Sequence, residues 1–156
     1  MEHFCTMLEN RLRRNWEKPA LSDYRGETFT SAQVAEQFAR LHVLFKGLGL
    51  EKGDKIALSG HNSAHWAMTF LAVNTYRGVA VPILADFTNE GMLDLTHHSE
   101  SKVLFTEPKK WEGADPTKLT HLKAVVNIDD YGGGDGGFRV ARRAVSEGLS
   151  EGLPQE

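Results

Sequence analysis

Residues 55–83 read KIALSGHNSAHWAMTFLAVNTYRGVAVPI, and the order of segments in this stretch decides the fold class. Lys55-Ile56-Ala57-Leu58 reads as a short strand, and Val79-Ala80-Val81-Pro82-Ile83 as a second. Between them, Ser63 to Tyr76 carries Trp66, Met68, Phe70, Leu71 and Val73 on nearly every side, as in a helix packed all round. Strand, helix, strand is the order of a βαβ unit in a parallel sheet. The run at 79–83 is continuously apolar, the pattern of a strand buried on both faces, which predicts a central position. Pro82 has no N–H to give, so it is expected at the strand end or at a bulge.

The same reading extends outward. Phe4, Leu8 and Leu12 recur every four residues with Met7 beside them, predicting an amphipathic helix that stops before Pro19. Leu21 to Thr30 reads as a hairpin about Tyr24-Arg25-Gly26-Glu27, with Gly26 expected to supply a positive φ. Thr30 followed by Gln33 is a capping-box pattern. It opens a helix whose stripe is Val34, Phe38, Leu41, Phe45 and Leu48, with Gly49 as its stop. Lys52-Gly53-Asp54 is a turn, and Gly78 is expected to end the helix after Tyr76. Thr88 opens a helix to about His98, and Val103-Leu104-Phe105 and Ala124-Val125-Val126 are further strands.

From Tyr131 the character changes. Gly132 to Gly137 is low in complexity, and only a weak helical period follows around Val140 to Val145. The fold class is therefore α/β: a mostly parallel sheet with flanking helices and a short β-hairpin near residues 20–30. Residues 1–130 form the domain, and 131–156 form a Gly-rich, weakly structured tail. The expected core is Phe38, Phe45, Ile56, Leu58, Trp66, Phe70, Val81, Ile83, Leu104 and Phe105.

A chain of 156 residues is long enough to bury roughly 70% of its unfolded surface. Its net charge of −3 argues against a broad nucleic-acid-binding face. Cys5 is the single cysteine, so no intrachain disulfide can form, and a reducing, cytoplasmic setting is favoured. No apolar run approaches the ~20 residues of a membrane span. Met1-Glu2-His3 lacks the basic start of a signal peptide.

Few residues carry a chemical pattern. Gly132, Gly134 and Gly137 satisfy G-x-G-x-x-G, but no strand with an acidic end follows, and a linker explains six residues with five glycines. His61 and His65 are four apart, a spacing that can present two imidazoles to a metal. Asn62 stands where a metalloprotease carries Glu, no third ligand is evident, and no metal site is assigned. His97 and His98 are adjacent and fit the end of a helix. Cys5 lacks an activating base in the sequence. Arg11, Arg13 and Arg14 read as a solvated face. Gly60-His61-Asn62-Ser63 joins a strand end to a helix start, where open α/β sheets place ligands and backbone N–H groups favour anions. It is the one candidate cofactor-binding turn, and the plainer alternative is a turn with Asn62 or Ser63 as N-cap.

The order and spacing of several segments carry a resemblance. They are Pro19-Ala20-Leu21 to Phe29-Thr30, Gly53-Asp54-Lys55-Ile56-Ala57-Leu58, Asn62-Ser63-Ala64-His65-Trp66, Tyr76-Arg77-Gly78-Val79-Ala80-Val81-Pro82-Ile83, and His98-Ser99-Glu100 to Phe105. Together, from about Met7 to Asp130, the chain resembles the N-terminal part of the large domain of adenylate-forming, AMP-binding enzymes. Within them it is most similar to long-chain fatty-acid–CoA ligases. The resemblance implies a two-step acid–thiol ligase that uses ATP, Mg²⁺ and coenzyme A and acts on fatty acids. The family's Ser/Thr/Gly-rich phosphate loop ending in Pro-Lys, its adenine- and ribose-binding motifs and its C-terminal lysine do not occur in these 156 residues. Gly132 to Gly137 has no Ser, Thr or Lys, and Ser31 stands where the family often has an aromatic. The resemblance therefore transfers no catalytic residue, implies no cofactor held by this chain alone, and predicts an inactive fragment. Self-association through an exposed sheet edge is the expected partner mode. The alternative is a non-catalytic α/β small-molecule-binding or interaction module.

Overall fold

The computed structural model describes residues 3–132 and 140–141. Helix α1 (Phe4–Arg14) is followed by the hairpin strands β1 (Pro19–Ser22) and β2 (Thr28–Thr30) and by helix α2 (Ser31–Gly47). The main sheet follows as β3 (Lys55–Ser59), α3 (Ala64–Thr75), β4 (Val79–Ile83), α4 (Asn89–His98) and β5 (Val103–Thr106). Then come the short α5 (Pro108–Trp111), a 3₁₀ turn at Pro116–Lys118, β6 (Ala124–Asn127) and β7 (Val140–Ala141).

The strand order is β4-β3-β5-β6-β7, with β4, β3, β5 and β6 mutually parallel and β7 antiparallel to β6. The expected α/β class, parallel sheet and hairpin are all present. Two expectations about strands are corrected. β4 is not central: among the described residues it is an edge strand, and Val79 is 45% exposed. The centre belongs to β3 and β5, whose residues from Ile56 to Ser59 and Val103 to Thr106 are buried. The apolar run signals neither a central place nor full cover, since only Ile83 of β4 is buried. An edge place also suits Pro82, because one side of such a strand needs no donor. Val140–Ala141 pairs as a strand with Val125–Val126 rather than continuing a helical period. Residues 133–139 and 142–156, which hold the rest of the glycine run and tail, lie outside the described residues.

The period-2 alternation of the strands feeds two cores. Ile56, Leu58, Val103, Phe105, Ala124 and Val126 face α2 and α3 in the larger one, around Leu41, Phe45, Met68 and Val73. Ala57 and Leu104, with Ile83, face α4 in the smaller one, around Met92, Leu93 and Leu119. Phe45 stands at right angles to Phe105 with ring centroids 6.1 Å apart. Of the ten expected core residues, Trp66, Phe70 and Val81 are only partly buried; Trp66 and Phe70 stack on each other at 5.5 Å beside the larger core.

The helix ends show why these segments stop where they do. Thr30 accepts the Gln33 N–H, and Gln33 returns a bond to the Thr30 N–H at 2.8 Å, closing the capping box. At the other end Gly49 takes φ +67°, its N–H reaches Lys46 O and the Leu50 N–H reaches Phe45 O. That pair of bonds is a Schellman motif. α3 ends in the same way, but there the left-handed residue is Arg77 at φ 69°, not Gly78. Gly78 is needed for space: a Cβ there would lie 3.2 Å from Val73 Cγ1 and 3.3 Å from Asp54 O. In the hairpin Arg25, at φ 55°, likewise takes the conformation expected of Gly26. A Cβ on Gly26 would sit 2.9 Å from that of Asp23.

Candidate functional site

The four parallel strands end at one edge of the sheet, and the loops after them meet there. Such strand ends are where α/β sheets hold ligands. The loop after β3 is Gly60 to Ser63, and Leu84 to Phe87 follows β4. Glu107 follows β5, and Ile128 to Tyr131 follows β6. A cleft of about 280 Å³ opens between the first two, lined by Gly60, His61, Asn62, Trp66 and residues 82–86. Its walls are largely apolar: Trp66, Pro82, Ile83, Leu84 and Ala85, with His61, Asn62 and Asp86 as polar members.

The Gly60–Ser63 turn is built tightly. Gly60 is buried, and a Cβ there would lie 3.0 Å from Ile128 Cγ2. Ser63 is the N-cap of α3, its Oγ accepting the Trp66 N–H at 3.0 Å. The Ala64 N–H donates to Asp23 Oδ1 at 2.7 Å, reaching back to the hairpin. The His61 N–H donates to Glu107 Oε1 at 2.8 Å, and the His61 ring Nδ1 lies 2.5 Å from the same oxygen. Three donors that could meet an incoming anion thus already meet oxygens of the chain itself.

The electrostatics follow from these contacts. Burial pushes the Glu107 carboxyl up, but the bonds from the His61 backbone and ring outweigh it and hold the carboxyl below its ordinary range. Asp129, after β6, is pushed up by burial and by the nearby charges of Glu107 and Asp130. With Asp86, these carboxylates give the strand ends an acidic cast. Of the two lysines on α5, Lys110 donates to the carbonyl oxygens of Ala85 and Phe87. Beyond Asp129, Tyr131 turns inward at φ 56° and is 4% exposed, its hydroxyl donating to His65 O at 2.8 Å.

The other sequence candidates are dispersed. His61 lies in the turn, outside α3, and pairs with Glu107. His65 lies in the first turn of α3, edge-on to Phe29 and Tyr131. The pair therefore do not share one helix face. Among the described residues no three His, Cys, Asp or Glu side chains converge as metal ligands would. His97 and His98 are the last residues of α4, with the His97 ring 6.5 Å from that of His121. Cys5 is partly buried on α1, 3.8 Å from Asn74 O. Arg13 pairs with Glu9 at 2.8 Å on an open helix face. Gly132 donates to Asp130 Oδ1, while Gly134 and Gly137 lie outside the described residues. Two wider hollows, about 360 and 710 Å³, flank α1 away from the strand ends.

Glu107, Lys110, Asp129 and Asp23 were not singled out from sequence. A usable signal existed for one of them: Glu107 directly follows a strand, as Gly60 does, and equivalent strand ends meet in a parallel sheet.

Comparison with known proteins covers most of the chain. Residues 8–136 match the family model described as AMP-binding enzyme. A probable CoA ligase of Humulus lupulus, CCL9, is 33% identical over 111 residues, covering 69% of this chain and 20% of that protein. Oxalate–CoA ligase of Arabidopsis thaliana is 29% identical over 125 residues, covering 77% and 24%. The chain thus spans about a fifth to a quarter of the length of these relatives. Among solved structures, a mutant form of coronafacic acid ligase from Pectobacterium brasiliense superposes with a TM-score of 0.72 at 17% identity, over 80% of this chain and 25% of that one. At that identity the likeness speaks for the fold.

Proposed function

The chain belongs to the AMP-binding enzyme family, and from that premise we propose that it is the N-terminal part of a fatty-acid–CoA ligase, catalytically silent as these 156 residues alone. The observation that carries the proposal is the family match over residues 8–136, supported by CoA ligases among the relatives. In such a reaction a carboxylate oxygen attacks the α-phosphorus of ATP and pyrophosphate leaves. The coenzyme A thiol then attacks the acyl carbonyl and AMP leaves. Each step is a displacement that needs in-line positioning and neutralised phosphate charge.

The strand-end cleft supports a silent fragment. Its acids outnumber its cations, Lys110 is committed to two carbonyls, and the N–H groups of His61, Ala64 and Trp66 are committed to Glu107, Asp23 and Ser63. We therefore assign Gly60, His61, Asn62 and Ser63 to the wall of a ligand cleft and not to a phosphate cradle. The apolar lining suits an acyl or other apolar group, which favours a fatty acid over a small polar acid. Among the described residues no helix is long and apolar enough to cross a membrane. A cytoplasmic setting belongs to the same proposal and is supported by the lone Cys5. The open β4 edge, with Leu84 72% exposed beside it, supports self-association of the fragment.

The test is acid-dependent pyrophosphate release with ATP, Mg²⁺ and fatty acids of several lengths. The 156-residue chain is assayed beside a chain extended to the length of its relatives. Release by the extended chain alone is expected. Release by the short chain would refute its silence, and no release by either would refute the ligase assignment. A second reading, a stand-alone small-molecule-binding module, is favoured by the cleft itself. Calorimetric titration of the short chain with fatty acids, AMP and coenzyme A separates the two: heat without turnover supports the module.

A further inference from the structure

Both walls of the strand-end cleft hang from one turn of chain. Glu107, the N-cap of α5, takes the His61 N–H and ring on one carboxylate oxygen at 2.8 and 2.5 Å, which fixes the Gly60–Ser63 wall. Lys110, three residues on, donates to Ala85 O and Phe87 O, which fixes the opposite wall after β4. The two groups share a face of the α5 turn, as residues three apart do. Their side chains reach across gaps of 46 and 25 residues in sequence, so neither contact is an accident of chain neighbourhood. Glu107 is nearly covered, its side chain 18% exposed, whereas its His61 partner is 76% exposed. The fixed end of the Glu107 brace is thus α5, and the held end is a cleft wall.

We propose that Glu107 and Lys110 are positioning residues that set the width of this cleft, each holding one wall independently. The proposal rests on the reading of the cleft as a ligand site, because a brace matters only if its walls meet something. Glu107 works as an anion: protonation leaves a carboxylic acid that cannot accept both His61 donors on the same terms. The wall it holds is therefore released in acid, while the Lys110 wall is not. The charged groups about Glu107 are His61 from the turn after β3, Asp129 after β6 and Lys110 on α5. Asp129 opposes a second negative charge and the other two favour it.

The test uses ¹⁵N relaxation and amide shifts on the 156-residue chain and on E107Q, K110M and K110R. In E107Q the heteronuclear NOE is expected to fall at residues 60–62 and hold at 84–87; K110M is expected to do the reverse. K110R, which keeps a cationic donor, should restore residues 84–87. Lowering the pH through the Glu107 titration should reproduce the E107Q pattern in the parent chain, and in K110M should add a fall at residues 60–62 to the one already present at 84–87. Unchanged walls in both variants would overturn the proposal, and so would loosening of both walls by either variant, since that reports melting of α5. Palmitate is the separate probe for the cleft. If shift changes on adding it are absent from residues 60–66 and 82–86 while the variant patterns hold, the site reading fails and the brace stands.

Discussion

Ser59 is the last residue of β3, 0% exposed, and its hydroxyl has no hydrogen-bond partner among the described residues. It shares a sheet face with Ala57, toward α4, because alternate residues of a strand point the same way. Its strand neighbours are Ile83 and Thr106, and the Thr106 hydroxyl already donates to Met92 Sδ at 3.3 Å. A buried, unpaired hydroxyl costs about 1–3 kcal/mol in lost hydration. Replacing it by a methyl hydrogen removes that cost and leaves only a void of oxygen size, worth about 0.3–0.5 kcal/mol at roughly 24 cal/mol per Å³. S59A is therefore expected to raise stability by about 1 kcal/mol. Urea denaturation of the 156-residue chain checks this, with the slope unchanged and the midpoint shifted upward. A loss of more than ~0.5 kcal/mol would refute the reasoning, because the hydroxyl would then have to be satisfied and contributing.

Further outcomes follow from other sites. Glu107 has its folded pKa lowered, so its contribution is present above its ordinary unfolded value and lost as pH falls through the folded one. Asp129, raised, acts in the opposite sense and is present in both chains; because E107Q lacks the Glu107 carboxylate, the parent chain loses stability in acid more steeply than E107Q does, and parallel curves from pH 7 to pH 3 would contradict this. At pH 7, E107Q itself should cost about 1–2 kcal/mol, discounted because His61 is well exposed. R77G should stabilise by about 0.5–1 kcal/mol in a thermal melt, since Arg77 holds φ 69° where glycine is unstrained; a lowered melting temperature would count against it. Sedimentation of the 156-residue chain should show concentration-dependent association that V79K suppresses, because Val79 lies on the open β4 edge. A monomer at every concentration would sink that expectation.

Local physics was well written in the sequence. Thr30 and Gln33 announce their capping box, Gly49 its Schellman stop, and Val34 to Phe45 their buried stripe, because each is decided within one or two helical turns. Strand order was not legible. The apolar run of Val79 to Ile83 resembles a central strand, yet the less uniform Lys55 to Ser59 holds the centre, because order is set by where each crossover returns. Glycine positions misled at Gly26 and Gly78, where small size is required and Arg25 and Arg77 carry the strained dihedrals. The turn at Gly60 to Ser63 could be found because a strand meets a helix there. Glu107 stood 46 residues away from His61, and no local pattern joins an acid to a histidine over that distance. Trp66 and Phe70 look like core in any hydropathy profile, yet they sit half-buried at the cleft and beside it.

The two sheet faces are unequally covered, and that inequality orders the way the molecule comes apart. The α2–α3 side joins residues from β2 through Tyr131 in one aromatic-rich body, so losing any part of it means losing the global free energy of folding. The α4 side is a thin layer of Ala57, Ile83, Met92, Leu93, Leu104 and Leu119. It is expected to open as a weaker cooperative unit that leaves the other layer standing. The cleft wall after β4 leads directly into that unit. Partial unfolding would therefore uncover the α4 side of the sheet first and loosen the cleft wall after β4 well short of denaturation.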